Sequence, residues 1–275
     1  MKTKKSAGFH VLNIVSVIVA LIFLAPILWA LAASFQIEGK QFDSLVKWFT
    51  PPYTLQNYPQ IIFNSSVLIW FKNSLIIAVI TTVATLIASA MAAYALAKLD
   101  FKGKRGFLLY FMLGLMVPGE ATIVPLFITV SNLHMIDTYA GMILPSIAVT
   151  TNLIIMVNFF KALPEEVLES VRIDGGGEMT IFWKIVLPLS KPIIATVAIF
   201  AFVASWNNYI WPLLCAMSER MFTLPVGIPT FSGTYTIDYV RPMTAYMVAS
   251  LPMIIMYIIF EKQIVAGITQ GAVKG

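Results

Sequence analysis

Long apolar stretches constrain the fold of this 275-residue chain more than any other feature. A helix needs about 20 predominantly apolar residues to cross the hydrocarbon core of a bilayer. Only 11% of the residues are charged, whereas roughly a quarter are charged in a typical soluble protein. The sequence therefore predicts an all-α polytopic membrane protein with six transmembrane helices. By continuous hydrophobicity these spans are residues 11–35, 74–97, 107–130, 140–160, 192–215 and 244–260.

The first apolar stretch has two interpretations. The basic start, MKTKKSAGFH, and the small residues Ala30-Leu31-Ala32 are similar to a cleavable signal peptide. However, the apolar run exceeds the roughly 7 to 15 residues of a signal peptide's hydrophobic region. We therefore favour an uncleaved first span.

The distribution of lysine and arginine predicts the orientation. Cytoplasmic loops of membrane proteins carry the excess of these residues. With the N-terminus inside, thirteen of the 18 basic residues fall on the inner side. The sequence therefore predicts both termini, and the polar loop at residues 161–191, in the cytoplasm. The outer side holds Lys40, Lys47, Lys72, Arg220 and Arg241.

The second and third spans carry local signals. Small residues recur at four-residue spacing in the second span, a pattern that lets helices approach closely in lipid, although alanine also simply favours helices. Pro118-Gly119-Glu120 predicts a break or kink in the third span, whose freed backbone groups must face protein or water. Glu120 is an intramembrane acid, hence either a functional residue or a structural hydrogen-bonding group. The small residues are Ala84, Ala88, Ala92, Ser89, Ala93 and Ala97.

The polar loop at residues 161–191 predicts two short helices. Pro164 and the acids after it suit the start of a helix, and Asp174 followed by three glycines predicts its end. A second helix is expected from Met179 to Val186. We expect the apolar residues of this unit to be left uncovered by the rest of the chain, which marks a partner surface. The alternative is an amphipathic hairpin lying on lipid head groups. The apolar residues of the first helix are Val167, Leu168, Val171 and Ile173.

The loop resembles the EAA loop of permease subunits of binding-protein-dependent ABC importers. The family form is E-A-A, two residues, D-G-A, then F, I and L-P at fixed intervals. Ser170-Val171 stand here for the alanine pair and Gly176 for the last alanine. The matching positions are Glu169, Ser170, Val171, Asp174, Gly175, Gly176, Phe182, Ile185, Leu187 and Pro188.

The resemblance extends over nearly the whole chain. Residues 93–104, AYALAKLDFKGK, are similar to the second-span exit of maltose-type carbohydrate permeases, and Val117-Pro118 and residues 123–126 also fit. The tail at residues 267–275 is typical of the MalG-like half of the translocator. The resemblance implies a single transmembrane permease domain over residues 1–275, with the type I ABC importer permease fold, in a bacterial or archaeal cytoplasmic (inner) membrane.

The same resemblance implies partners and a mechanism. The EAA loop of the family docks into a cytoplasmic ATPase and transmits its closure to the transmembrane helices. The implied assembly contains a second permease subunit (a heterodimer), two ATPase copies, an extracytoplasmic solute-binding protein and membrane lipid, but no nucleic acid. The chain contains no G-x-x-x-x-G-K-[ST] phosphate loop. We therefore expect a transporter subunit rather than an enzyme, with ATP hydrolysed on another chain.

Candidate residues for the solute pathway lie mainly in the fifth span. Aromatic rings stack on sugar C–H faces, and amides both donate and accept hydrogen bonds. The alternative is an aromatic belt at the outer interface. Asn158 is a weaker candidate for the same solute pathway. The candidates are Glu120, Asn152, Trp206, Asn207, Asn208, Tyr209 and Trp211.

No cofactor or metal is expected, because Cys215 is the single cysteine and the two histidines, His10 and His134, lack a metal-ligand spacing.

The predicted function is ATP-driven import of a sugar or related polyol delivered by a solute-binding protein. The alternative is an ion-coupled secondary transporter or a channel subunit. A secondary transporter needs coupling-ion sites and usually internal repeats. The sequence has one intramembrane acid and no evident inverted repeat, which argues against a secondary transporter.

Overall fold

The computed structural model describes residues 7–39, 44–232 and 238–272. The described residues are mostly helical and contain no β-strand, only an isolated antiparallel bridge between Gln36 and Tyr53. The chain divides into two compact units. The first comprises residues 1–68 and 227–251, and the second residues 69–226 and 252–275.

The α-helices are numbered here in chain order. They are α1 (Ala7–Ser34), α2 (Asn57–Phe63), α3 (Val67–Lys98), α4 (Lys104–Gly114), α5 (Gly119–Asn132), α6 (Tyr139–Ile143), α7 (Thr150–Lys161), α8 (Glu165–Ile173), α9 (Glu178–Ile181), α10 (Leu187–Leu189), α11 (Lys191–Trp206), α12 (Ile210–Cys215), α13 (Leu224–Gly227) and α14 (Val240–Ala272). A π-helical turn covers Phe182–Val186. The 3-10 segments are Leu45–Phe49, Leu144–Ser146, Glu219–Met221 and Ile228–Phe231.

Three described helices are long and apolar enough to cross a membrane: Leu12–Ser34, Val67–Lys98 and Val240–Glu261. Three further helix pairs pass the same test together but are bent. If each pair is one span, the described chain has up to six spans, the number that the sequence predicts. The pairs are α4 with α5 (102° bend), Tyr139–Ser146 with α7 (44°) and Glu178–Leu189 with α11 (81°).

The largest of these bends lies where the sequence interrupts the helical hydrogen-bond pattern. Pro118, which has no backbone N–H, directly precedes α5 in an extended conformation, so residues 107–130 form two helices rather than one. In the fifth predicted span, α11 ends at Trp206 and α12 begins only at Ile210. The bent fifth pair also starts earlier than expected, at Glu178, because helical turns of the polar loop lead directly into α11.

In the first unit, the segment after α1 is tied back to the end of that helix. The Asn57 side-chain amide donates to the backbone oxygens of Ser34 and Gln36, both at 2.8 Å. The Gln36 amide donates to the oxygen of Trp48 at 2.7 Å, and the Trp48 ring lies 4.7 Å from that of Trp29. The buried Asn57 amide therefore satisfies a backbone oxygen that α1 leaves open at its C-terminus.

In the second unit, α3 buries one face. Ser89 and Ala93 are buried, Ala84, Ala92 and Ala97 partly buried, and Ala88 exposed. The small-residue stripe is therefore only in part a packing surface. Towards α7 it leaves an apolar cleft of about 210 Å³. The cleft is lined by Ala88, Ser89, Ala92, Phe111, Ile147, Ala148, Val149, Thr150 and Leu153.

The main core of the second unit lies beneath the polar loop. It joins α3 and α7 to α8, α9, the π-helical turn and α11. Its buried members are Ala90, Ala93, Tyr94, Leu96, Leu153, Met156, Val157, Phe160, Leu168, Ile181, Phe182, Val186 and Val197. A further cluster packs α12 against α5 and α6 and contains Ile77, Val130, Met142, Ile143, Trp211, Cys215 and Ala216.

Candidate functional site

The polar loop begins with α8 and a tight glycine turn. Pro164 directly precedes the helix, and Glu165 and Glu166 occupy its first turn, where the helix dipole favours negative charge. At the other end, Gly175 has φ +81°, the left-handed conformation that glycine adopts at little cost. Its N–H donates to the oxygen of Arg172 at 3.0 Å, and the N–H of Gly176 donates to that of Val171 at 2.8 Å. This pair of hydrogen bonds is the Schellman motif, which ends α8 and reverses the chain.

Gly176 is required for a different reason. A Cβ atom there would lie 2.6 Å from Val171 Cγ1 and 2.9 Å from the Val171 backbone oxygen. Contacts this short do not occur without a shift of one partner. Gly176 and Val171 therefore fit each other as a pair, at two positions where the family form carries alanine.

The expectation that the rest of the chain leaves the loop's apolar residues uncovered is wrong for four of them. Leu168, Ile181 and Val186 are fully buried and Phe182 nearly so. They pack on α3 and α7, where the Tyr94 ring lies 5.3 Å from that of Phe182. The sequence pattern is ambiguous here, because an apolar helix face looks the same whether its own chain or a partner covers it. The side of the loop that faces α3 and α7 is thus anchored by its own chain.

Several large apolar side chains of the loop remain exposed. Ile173 is 80% exposed, Met179 59%, Trp183 54% and Val167 40%. We call these four residues the exposed rim. Large apolar side chains exposed on a polar loop indicate an interaction surface.

An ionic network joins both helices of the loop to the end of α3. Lys98, the last residue of α3, donates from Nζ to Glu165 Oε2 at 2.8 Å and to the Leu163 backbone oxygen at 2.7 Å. Arg172 bridges two carboxylates, with Nη1 3.2 Å from Glu165 Oε1 and Nε 3.0 Å from Glu178 Oε1. The Tyr94 hydroxyl hydrogen-bonds to Glu178 Oε2. We call the set Tyr94, Lys98, Glu165, Arg172 and Glu178 the loop clamp.

The clamp shifts the acidity of its members. The hydrogen bond from Lys98, followed by that from Arg172, lowers the pKa of Glu165 below its usual value. The hydrogen bond from Tyr94, followed by that from Arg172, lowers the pKa of Glu178. The hydrogen bonds to Glu178 and Glu165 raise the pKa of Arg172. All three groups therefore remain ionised at neutral pH.

The predicted coupling residues differ in exposure. Glu169, Ser170, Asp174, Gly175 and Pro188 are exposed, whereas Val171, Gly176, Ile185 and Leu187 are partly buried and Phe182 is buried. Sequence reasoning missed Tyr94, Lys98 and Glu178 as part of this site. A signal was present, because Tyr94 and Lys98 are polar residues four positions apart on one face of an apolar helix.

The candidate solute-pathway residues do not form one cluster of contacts. The buried Trp206 stacks on Phe202 at 5.7 Å between ring centroids, and its ring lies edge-on to that of Phe71 at 5.8 Å. Trp211 is buried and donates its ring N–H to the Gly141 oxygen at 3.1 Å. Its backbone N–H lies 3.4 Å from Asn208 Oδ1. Both tryptophans therefore serve as packing residues.

The remaining candidates are more dispersed. Asn207 and Tyr209 are exposed in the break between α11 and α12. Asn152 is buried in the first turn of α7, and the weaker candidate Asn158 is exposed. Glu120 is exposed in the first turn of α5. Asn207 and Tyr209 are thus the polar groups of the aromatic segment that remain available to a ligand.

At the opposite end of α3, polar side chains hold the segment 219–224. Trp70 donates its ring N–H to the Glu219 oxygen at 3.1 Å. The Asn73 amide donates to the oxygens of Arg220 and Phe222 at 2.8 and 2.9 Å. Ser74 Oγ accepts from the Leu224 N–H at 2.8 Å. We call Trp70, Asn73 and Ser74 the upper clamp.

Asp137 holds the two residues that directly precede this segment. Its carboxylate accepts from the backbone N–H groups of Met217 and Ser218 at 2.9 and 3.0 Å and from the Ser218 hydroxyl at 2.6 Å. Burial raises the pKa of Asp137, but the hydrogen bonds from Ser218 and Met217 and the nearby Arg220 outweigh burial and lower it. Side chains therefore hold residues 217–224 at both ends.

Comparisons with known proteins agree on one family. The model for "Binding-protein-dependent transport system inner membrane component" matches residues 85–270. The arabinooligosaccharides transport system permease protein AraQ of Halalkalibacterium halodurans is 35% identical over 260 residues, covering 94% of this chain and 93% of that protein. The trehalose/maltose transport system permease protein MalG of Thermococcus litoralis is 34% identical over 267 residues, covering 94% and 95%.

A third relative and a solved structure extend the comparison. The sn-glycerol-3-phosphate transport system permease protein UgpE of Yersinia pestis is 31% identical over 268 residues, covering 94% of each chain. A crystal structure of a bacterial ABC transporter involved in the import of the acidic polysaccharide alginate contains a similar chain, with a TM-score of 0.82. The match covers 94% of this chain and 98% of that chain at 22% identity. At that identity the likeness shows the fold.

Proposed function

This chain belongs to the binding-protein-dependent transport system inner membrane components, the permeases of ABC importers, and we propose that it translocates a sugar or related polyol. The names of its relatives support this substrate class, since they refer to arabinooligosaccharides, trehalose, maltose and sn-glycerol-3-phosphate. The chain is a transport subunit and carries no phosphate-binding loop. ATP hydrolysis therefore belongs to a separate ATPase subunit.

The polar loop is the coupling element, and its two-sided structure is the observation that carries this assignment. Its inner side is fixed to α3 and α7 by Leu168, Ile181 and Phe182 and by the loop clamp. The surface of the loop that its own chain leaves uncovered includes the exposed rim, Glu169 and Asp174. Exposed apolar side chains and acids on a short helical loop suit a groove with basic edges on a partner protein. Movement of that partner then acts on the helix bundle.

The assembly contains a second permease subunit, two ATPase copies and a solute-binding protein on the outer side. Support for a second permease subunit comes from the resemblance to the MalG-like half of a translocator. Both termini are cytoplasmic, which the distribution of lysine and arginine supports. In this orientation the exposed rim faces the cytoplasm, where ATP is available.

The solute path includes the break between α11 and α12. Asn207 and Tyr209 are exposed there, while Trp206 and Trp211 pack beneath them. An amide and a phenol beside aromatic rings provide hydrogen bonds and stacking surfaces for a sugar. Glu120, Asn152 and Asn208 are secondary candidates for contacts along the same path.

The coupling role is tested by placing a charge on the exposed rim. Ile173→Asp is expected to lower co-purification of the ATPase subunit and solute-stimulated ATP hydrolysis at least tenfold, which corresponds to about 1.4 kcal/mol. Leu133→Asp is the matched control, because Leu133 is also an exposed apolar residue, 61% exposed, and follows α5 on the predicted outer side. Normal ATPase binding by Ile173→Asp would contradict the coupling role.

The transport role is tested in proteoliposomes that hold the complete complex. We expect uptake of a sugar or polyol that requires both ATP and the solute-binding protein and persists when ion gradients are collapsed. Uptake driven by a proton or sodium gradient without ATP would instead support the secondary-transporter alternative.

A further inference from the structure

Two separate polar clamps lie at opposite ends of α3. The loop clamp attaches Tyr94 and Lys98, in the last turns of α3, to both helices of the polar loop. The upper clamp attaches Trp70, Asn73 and Ser74, in its first turns, to the segment 219–224. At a rise of 1.5 Å per residue, the two clamps are about 30 Å apart.

The helix between the clamps has an unusual sequence. It runs unbroken from Val67 to Lys98 and contains neither proline nor glycine. Every other candidate span of the described chain contains at least one proline, and three of them are bent by 44° or more. Proline and glycine are the usual points at which helices bend. Of the described candidate spans, α3 is thus the one without a built-in hinge.

Several contacts attach each end of this unbroken helix to its neighbours. At the lower end, Arg172 pairs with a carboxylate of each loop helix, while Lys98 and Tyr94 hold one carboxylate each, so both helices of the loop are attached to α3. At the upper end, Asn73 Oδ1 also accepts from the Tyr139 hydroxyl at 2.6 Å. Tyr94 thus supplies the hydrogen bond from α3 to α9, and Asn73 supplies two of the four hydrogen bonds between α3 and the segment 219–224.

We propose that α3 is a rigid link that couples the polar loop to the segment 219–224, with Tyr94 and Asn73 as its positioning residues. The inference rests on the proposed function, in which the loop binds the ATPase. Because the segment 219–224 lies at the opposite end of the span from the polar loop, the proposed function puts it on the same side of the membrane as the solute-binding protein. A shift of this segment that the loaded binding protein causes reaches the ATPase through the position of α3, and ATP binding acts back on the segment in the same way, since coupling between two sites is reciprocal.

The test compares Tyr94→Phe, Asn73→Ala and the double variant in the complete complex in proteoliposomes. The readout is the ratio of ATP hydrolysis with solute-loaded binding protein to hydrolysis without it. Coupling between sites is typically worth 5- to 150-fold, so each single variant is expected to lower the ratio at least about fivefold. The double variant is expected to lower the ratio no further than either single variant, because both substitutions interrupt the same link through α3.

Matched controls make the same chemical changes elsewhere. Tyr110→Phe and Asn132→Ala alter exposed residues of α4 and α5 and are expected to leave the ratio unchanged. Assembly of each complex is verified by co-purification. If Asn73→Ala does not assemble, Ser74→Ala replaces it, because that change removes only the hydrogen bond to Leu224.

The possible results separate the two proposals. If the wild-type complex shows no ATP-driven uptake, the proposed function is overturned, and with it the rigid link through α3. Wild-type uptake together with an undiminished ratio in both single variants would overturn the link alone. Additive losses in the double variant would also overturn it, since they indicate two independent local defects. A merely structural role of Tyr94 and Asn73 would lower the amount of complex but not the ratio.

Discussion

At the scale of single residues, the turn after α8 contains three consecutive glycines with three different environments. Gly175 has φ +81°, with open space around it. Gly176 has no room for a Cβ atom because of Val171, and Gly177 has φ −75° with no atom within 4 Å of an added Cβ. The sequence predicts a turn from three glycines, but it does not predict which glycine is needed for its backbone angle and which for its small size.

We expect Gly176→Ala to destabilise the protein by about 1 to 3 kcal/mol, because the added methyl group overpacks against Val171. Val171→Ala in the same chain removes Cγ1, the atom 2.6 Å from the new Cβ, so the double variant should recover part of the loss. Thermal unfolding of the purified protein in detergent, followed by tryptophan fluorescence, measures the effect.

Gly177→Ala is the matched control and should be nearly neutral, since its added methyl group meets nothing within 4 Å. Equal melting temperatures for Gly176→Ala and Gly177→Ala would show that the close fit of Val171 and Gly176 does not contribute to stability.

At the scale of secondary-structure elements, the sequence predicted the helices better than their partners. Pro164, Asp174 and the glycines mark the limits of α8, and Pro118 marks the break before α5, because these signals act locally. The loop clamp could not be predicted in the same way, since Tyr94 and Glu178 are 84 positions apart. The burial of Leu168 and Ile181 was missed for a related reason, because an apolar pattern does not identify what covers it.

The loop clamp predicts an acid-dependent loosening of α8 and α9. Because the pKa values of Glu165 and Glu178 are lowered in the folded protein, their stabilising contribution is full above the ordinary value of 4.5 and is lost as pH falls below it. Both carboxylates are more than a third exposed, so each ion pair is worth at most about 1 kcal/mol. Hydrogen exchange of residues 165–186, corrected for intrinsic rates, should show constant protection from pH 7 to 5 and a decrease below 4.5.

The comparison variant for this experiment is Glu165→Gln/Glu178→Gln. It should show reduced protection at pH 7 and little further change on acidification. Protection in residues 139–146, which contain none of these groups, serves as the internal reference. An identical decrease in wild type and variant would assign the acid effect to other groups.

At the scale of the whole molecule, the likeness to permease subunits is strong in sequence and fold, while the orientation in the membrane is an inference from charge. Thirteen basic residues against five favour cytoplasmic termini. The same assignment puts Ser170, in the polar loop, inside and Ser131, near the end of α5, outside. The orientation therefore determines whether the exposed rim can reach a cytoplasmic ATPase at all.

Cysteine labelling decides the orientation, and this chain suits it, because Cys215 is the single cysteine and is buried. In a Cys215→Ser background, Ser131→Cys and Ser170→Cys each place one thiol at an exposed serine with little change in volume. In intact cells, a membrane-impermeant maleimide should label Ser131→Cys and leave Ser170→Cys unlabelled until the membrane is permeabilised. The reverse pattern would place the polar loop outside. Because no ATP-driven partner could then reach the exposed rim, that result would refute both the coupling role and the rigid link through α3.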